Sequence, residues 1–69
     1  MTREEIETLV AAHPGRRFRV TFAGGVTEAL YIGPIDDEGF MNSGPGSNEP
    51  DLYWTRFDSV SKIELDDQT

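Results

Sequence analysis

Residues 52–65, with the sequence LYWTRFDSVSKIEL, carry the clearest secondary-structure pattern in the chain. In the first part of this stretch the side chains alternate, placing Trp54 on one face and Tyr53 and Phe57 on the other. After a short break at Asp58-Ser59, a second alternation sets Ile63 and Leu65, which are predicted to lie in the core, against Lys62 and Glu64. Period-two alternation with aromatic and β-branched residues is typical of β-strands, so the stretch predicts a strand, a turn and a second strand.

Working outward from this pair, three further strands are predicted. Residues 16–22 alternate between apolar and polar side chains, and Phe18 and Val20 are predicted to lie in the core. Ala23-Gly24-Gly25 follows, where glycine accepts the backbone angles of a tight turn. Residues 26–32 return as the second strand, with Leu30 and Ile32 predicted to lie in the core, and Gly33-Pro34 marks a bend or bulge. A short third strand is predicted at Phe40-Met41. Residues 43–50 contain only turn-forming or polar residues and are predicted to be a mobile loop.

The N-terminal segment has the signals of one helix, predicted over residues 2–13. Thr2 and Glu5 have the spacing of a capping box, in which each side chain satisfies a backbone N–H of the other residue. Ile6, Leu9 and Val10 form a single apolar stripe. Because a helix of this length is marginal alone, the stripe is predicted to cover one end of the strands.

These elements predict one domain over residues 1–69, mainly β with one N-terminal helix. The expected architecture is a small five-stranded antiparallel barrel over residues 16–65, of the SH3-like or Sm-like kind. Residues 18–25 resemble the Sm-like opening strand with its glycine turn, and residues 57–63 resemble the turn between the last two Sm-like strands. The basic, glycine-bearing segment with which Sm-like proteins bind RNA has no counterpart, so the resemblance does not imply RNA binding.

The composition of the chain disfavours several classes of function. The chain has 69 residues, 13 acidic against 6 basic side chains, a formal net charge of −7 and no cysteine. This charge opposes binding to nucleic acid and to anionic membranes. No apolar run is long enough to span a membrane, and the N-terminus lacks a signal-peptide pattern, so a cytoplasmic location is predicted.

No motif indicates an enzyme, a cofactor or a metal site. Asp36-Asp37-Glu38 lacks the ligand spacing of a calcium loop and is better explained as a solvated turn. The glycine pairs are not followed by the lysine and helix of a phosphate-binding loop. The single histidine, His13, does not combine with a serine and an acidic residue at a spacing that would indicate a catalytic triad. The chain is therefore predicted to be non-catalytic.

The best functional hint is the presence of aromatic residues on both faces of the same strand. Only one face of a small barrel points inside, so some of these residues must be exposed, and exposed aromatic residues are typical of interaction sites. The predicted partner-binding residues are Tyr31, Tyr53, Trp54 and Phe57. The leading hypothesis is a protein-interaction module that binds a protein partner or assembles into a homo-oligomer.

Two alternatives remain open at the level of the sequence. Arg17, Arg19 and Arg56, together with the aromatic residues, are the candidate contacts of an Sm-like protein that binds RNA or single-stranded nucleic acid. The second alternative is an acidic mimic of nucleic acid that blocks a DNA-binding protein. Clustering of the acidic residues on one face would favour the mimic over evenly spread charge; these residues are Asp36, Asp37, Glu38, Glu49 and Asp51.

Overall fold

The computed structural model describes residues 2–67 and contains one helix and six strands in that range. The mainly β composition with an N-terminal helix is confirmed. The elements are α1 (Arg3–Ala12), β1 (Phe18–Phe22), β2 (Thr27–Leu30), β3 (Ile32–Ile35), β4 (Gly39–Asn42), β5 (Tyr53–Arg56), a 3-10 turn (Phe57–Ser59) and β6 (Val60–Leu65).

The strands form two separate antiparallel sheets. Sheet A has the order β2-β1-β6, and sheet B has the order β3-β4-β5. In sheet A, β1 is central, and Val20 lies opposite Glu28 on one side and Ile63 on the other. In sheet B, β4 is central, and Asn42 lies opposite Ile32 and Tyr53. Strands β3 and β5 are therefore the two edges of sheet B.

The predicted five-stranded barrel is wrong, because the described strands number six and the two sheets do not close on each other. The segment predicted as one strand over residues 26–32 is broken at Tyr31. The Tyr31 N–H donates to the Ser43 hydroxyl at 2.8 Å, and its carbonyl accepts from the Ser43 N–H at 2.9 Å. These bonds take the chain out of sheet A and into sheet B.

The helix begins with the predicted capping box. The Glu5 N–H donates to Thr2 Oγ1 at 3.3 Å, and the Thr2 N–H donates to Glu5 Oε1 at 3.2 Å. Ile6 is fully buried, and Leu9 and Val10 are half-buried against the core. The helix is therefore held by local capping bonds at its start and by packing along one face.

The capping box makes helix stability depend on pH. The bonds from the Thr2 backbone and hydroxyl hold the pKa of Glu5 below its ordinary value of 4.5. Because the pKa is lowered in the folded state, the stabilisation is fully present above the ordinary value and is lost as pH falls through the lowered one. We expect Thr2→Ala to destabilise the domain by about 1 kcal/mol at neutral pH. Urea unfolding at pH 7 and at a series of acidic pH values measures this, and the effect is expected to shrink as pH falls through the lowered pKa of Glu5.

A matched control for this prediction is Thr8→Ala, because Thr8 lies on the same helix, is exposed and has no part in the capping bonds. Thr8→Ala is expected to change the urea midpoint little at neutral or acidic pH. Equal midpoints for Thr2→Ala and the parent at pH 7 would contradict the contribution of the cap.

The core lies where the helix and the inner faces of the two sheets meet. Its buried apolar residues come from the helix and from four strands, with partly buried residues around them. One of them belongs to the predicted apolar stripe of the helix and four belong to the predicted alternating strands, whereas Phe40 and Val60 were not predicted as core. The buried apolar residues are Ile6, Phe18, Val20, Leu30, Phe40, Val60 and Ile63.

The connection between β4 and β5 contains both buried and exposed residues. Ser43 and Gly44 are buried, whereas the turn at Pro45-Gly46 is exposed. At this turn the Ser47 N–H donates to the Gly44 carbonyl at 3.1 Å. Gly46 has a φ of 79°, a left-handed value that glycine adopts easily and residues with a side chain rarely adopt. The predicted mobility of residues 43–50 therefore stays a prediction for residues 45–50.

Candidate functional site

Strand β5 forms one edge of sheet B and is unusually exposed for a strand with two aromatic residues. Tyr53 is 58% exposed and Trp54 is 45% exposed, and the preceding Leu52 is 49% exposed. Among residues 2–67, three of the four large hydrophobic side chains classed as exposed therefore lie side by side in sequence. The fourth, Val26, lies on the β1–β2 hairpin in sheet A.

The backbone of β5 presents unpaired groups at this edge. The Phe57 N–H donates to the Glu38 carbonyl at 3.0 Å, which marks residues 57 and 38 as a hydrogen-bonded pair. Such pairs alternate along an antiparallel ladder, so Thr55 and Tyr53 also direct their backbone groups toward β4. Trp54 and Arg56 then direct their backbone groups away from β4, where no strand of the described chain lies. Of these groups, the Arg56 carbonyl accepts the first hydrogen bond of the 3-10 turn, because Arg56 is the N-cap of that turn.

A chain of polar contacts holds the inner face of β5 in place. The Thr55 hydroxyl donates to Asn42 Oδ1 at 2.7 Å, and Asn42 Nδ2 donates to the Ser43 carbonyl at 2.9 Å. Asn42 and Ser43 are buried, so these bonds satisfy polar groups that would otherwise be costly. The contacts link β5 to β4 and, through Ser43, to the break at Tyr31.

The two exposed aromatic residues lie on opposite faces of sheet B. Tyr53 lies opposite Asn42, on the face that carries the core residue Phe40, and its ring lies over Gly44. Trp54 lies opposite the half-buried Met41 on the other face. The outer face of this edge therefore presents an indole beside a thioether, followed along the strand by the Arg56 side chain.

The other two predicted partner-binding residues lie elsewhere. Phe57 is half-buried in the 3-10 turn and packs on Phe40, with ring centroids 6.3 Å apart. Tyr31 lies at the break between β2 and β3, and the Arg17 guanidinium stacks 5.1 Å from the centroid of its ring. The structure thus places Tyr53 and Trp54 on opposite faces of one exposed strand and packs Phe57 against the core.

The three candidate nucleic-acid-binding arginines lie on different elements and contact different neighbours. Arg19 lies on β1 in sheet A and contacts Asp66 at 3.6 Å, whereas Arg56 lies on β5 in sheet B and contacts Asp58 at 3.5 Å. Arg17 is engaged with the Tyr31 ring. Each of these cations therefore has an acidic or aromatic neighbour of its own.

The acidic residues are also divided between two places. The turn at residues 36–38 precedes Gly39, which lies opposite Arg56, whereas Glu49 and Asp51 precede Tyr53 at the other end of the β4–β5 ladder. Asp36 accepts from the Glu38 and Gly39 N–H groups of its own turn, and Asp37 is paired with Arg3. The acidic residues of sheet B flank the two ends of β5 and do not form one continuous array.

Within residues 2–67, no three His, Cys, Asp or Glu side chains are grouped closely enough to hold a metal ion. No helix in the same range is long and apolar enough to cross a membrane.

Sequence reasoning missed two contributors to the β5 edge. Met41 was assigned to a strand without a role, and Arg56 was considered only as a contact for nucleic acid. The pairing of β4 with β5 is what places Met41 beside Trp54. Leu52 could have been included from the sequence, because it directly precedes the aromatic strand and its side chain falls on the same face as Trp54 in the period-two pattern.

Comparison of the chain with protein-family models, with curated proteins and with solved structures finds no match. The resemblance of residues 18–25 and 57–63 to Sm-like proteins therefore stays a prediction from the sequence.

Proposed function

We propose that this protein is a non-catalytic protein-interaction module and that β5 is its contact strand. The observation that carries the proposal is an edge strand with two exposed aromatic residues and outward backbone groups at Trp54 and Arg56. Edge strands of this kind pair with an added strand from another chain. The absence of cysteine agrees with action in the reducing cytoplasm, which is part of the proposal.

The mode of binding follows from the two kinds of group at the edge. The Trp54 N–H and C=O and the Arg56 N–H supply hydrogen bonds to an incoming strand, and such bonds are the general source of affinity in strand addition. The Trp54 indole and Met41 supply apolar area on the outer face, and aromatic residues and methionine are enriched at interfaces. The polar contacts of Thr55, Asn42 and Ser43 keep the strand ordered before a partner arrives, which lowers the entropy cost of binding.

Neither alternative has a comparable feature in its favour. A nucleic-acid-binding surface needs cations that track a backbone, whereas the arginines here lie on two sheets. A nucleic-acid mimic needs an extended acidic array, whereas the acids of sheet B lie at the two ends of β5.

The experiment is site-specific photo-crosslinking with the whole chain. Tyr53→p-benzoylphenylalanine places the probe on β5, and Val26→p-benzoylphenylalanine places it on the β1–β2 hairpin. The two positions are matched, because both side chains are 58% exposed. We expect irradiation in living cells to give discrete protein adducts from position 53 and only a diffuse background from position 26. Equal patterns from the two positions would contradict the proposal.

A further inference from the structure

We infer that the strand that docks on β5 is the β5 strand of a second copy of the chain, running antiparallel, with the twofold axis at Thr55. The inference rests on the proposed function and names its partner. Two copies joined in this way would form one six-stranded sheet with the order β3-β4-β5-β5-β4-β3.

The backbone groups of β5 are self-complementary about this axis. Trp54 and Arg56 both direct their N–H and C=O groups outward, one residue on either side of Thr55. An antiparallel copy centred on Thr55 places Trp54 opposite the partner's Arg56, and Arg56 opposite the partner's Trp54. Both are hydrogen-bonded pairs, in which each Arg56 N–H donates to the partner's Trp54 carbonyl and each Trp54 N–H donates to the partner's Arg56 carbonyl. The Arg56 carbonyl already accepts the first hydrogen bond of the 3-10 turn in its own chain, so it is shared between two donors.

The side chains select this register over its neighbours. With the axis at Thr55, the Trp54 indole lies on the same face as the guanidinium of the partner's Arg56, and this happens twice. A guanidinium over an indole is a favourable cation–π pair. An axis at Arg56 would instead place Arg56 opposite the partner's Arg56, and like charges directly opposite destabilise a ladder. An axis at Trp54 would place Arg56 opposite the partner's Leu52, so neither arginine would meet an indole.

Electrostatics predicts how the contact responds to salt. Each copy carries a formal net charge of −7, and acidic residues flank both ends of β5. Added salt screens this repulsion, whose range at low ionic strength is about 30 Å, much more than it weakens contacts at short distance. The pairing is therefore expected to tighten between about 0.01 M and about 0.15 M salt.

Single cysteines test the register, because the native chain contains none. With the axis at Thr55, the two Thr55 residues form a non-hydrogen-bonded pair with Cα atoms about 4.5 Å apart. This distance is within the range for a disulfide of about 4.4–6.8 Å. We expect Thr55→Cys to form a disulfide dimer at least tenfold faster than Trp54→Cys or Arg56→Cys under mild oxidation. Fastest dimer formation by either of the other two variants would overturn the register.

Amide exchange on the unmodified chain gives a second measurement that needs no substitution. Raising the protein concentration is expected to slow exchange of the Trp54 and Arg56 amides at least tenfold. The Tyr53 and Thr55 amides are an internal reference, because β4 already protects them. A doubled mass with unchanged Trp54 and Arg56 exchange would place the contact on another surface and overturn the inference.

A proline at position 56 would block pairing at the β5 edge with little strain in the backbone. Arg56 has a φ of −81°, close to the angle of proline, and its N–H points away from β4. Arg56→Pro is expected to abolish dimer formation, whereas Arg56→Lys is expected to retain it with reduced affinity. Sedimentation at about 0.15 M salt measures both variants, and a dimer that persists in Arg56→Pro would overturn the inference.

The outcomes separate this inference from the proposed function. Adducts between position 53 and a different protein, with no disulfide dimer from Thr55→Cys, would refute self-pairing and leave the interaction module standing. Equal photo-crosslinking from positions 53 and 26 would refute both.

Discussion

Phe40→Ala is expected to destabilise the domain by about 3–5 kcal/mol, which is comparable to the whole stability of a domain this small. Phe40 is fully buried at the centre of sheet B and packs on Phe57 with ring centroids 6.3 Å apart. Its removal leaves a cavity that the surrounding strands cannot refill, because β4 is held on both sides by β3 and β5. Far-UV circular dichroism in urea measures the loss as a lowered midpoint or as an unfolded spectrum in buffer.

The adjacent residue is the matched control for this substitution. Met41 is half-buried on the opposite face of the same strand, so Met41→Ala removes less buried area and leaves the core intact. It is expected to lower the urea midpoint only modestly. A Phe40→Ala midpoint equal to that of Met41→Ala would show that the interior of the domain is not organised around Phe40.

Gly39→Ala is expected to be the most disruptive small substitution, with a loss of about 3 kcal/mol or more, at the upper end of the range for overpacking. A Cβ atom at this buried position would lie within 3.0 Å of backbone atoms of Thr55 and Arg56. A side chain could relieve such a contact by changing its rotamer, but backbone atoms in a paired strand cannot. The methyl group must therefore push β5 from β4, and thermal unfolding followed by circular dichroism measures the loss.

Gly24→Ala is the control for the Gly39 substitution, because a Cβ atom at Gly24 would meet no atom within 4 Å. Its φ also lies outside the range that disfavours side chains. We expect Gly24→Ala to leave the midpoint unchanged or slightly raised, since alanine reduces the entropy of the unfolded chain. A Gly39→Ala protein as stable as Gly24→Ala would contradict the close approach of β4 and β5.

The Gly39 substitution also bears on the contact strand. Since Gly39 lies opposite Arg56, displacement of β5 would disturb the spacing of the outward groups of Trp54 and Arg56. Any surviving Gly39→Ala protein is therefore expected to lose association at the β5 edge together with stability. This dependence follows from the position of β5, whose only strand neighbour within residues 2–67 is β4.

Features that depend on nearby residues were predictable from the sequence alone. The capping box needs only Thr2 and Glu5, which are three residues apart, and both of its bonds are present. The β1–β2 turn needs only its glycines, and Gly25 has a φ of 95° there. The alternation of residues 16–22 and 62–65 likewise identified Phe18, Val20 and Ile63 as core residues, because side chains in a strand point to alternate faces wherever the strand is placed.

The arrangement of the strands was decided only in three dimensions. The strand over residues 26–32 looked continuous because no local residue breaks it. Its break at Tyr31 comes from bonds to Ser43, which lies twelve residues away in a stretch that resembles a polar loop. Ser43 is fully buried there, and a buried hydroxyl needs hydrogen-bond partners. This long-range bonding is why six strands in two sheets replace the expected five-stranded barrel.

The candidate site shows the same division between local and long-range information. The sequence identified Tyr53 and Trp54 as aromatic residues on opposite faces of one strand, and it determined that both faces could not be buried in one core. It did not determine which face is inside, because a period-two pattern with aromatic residues on both faces is symmetric. The pairing of Thr55 with the buried Phe40 settles the question, since it turns Thr55 inward and Trp54 outward.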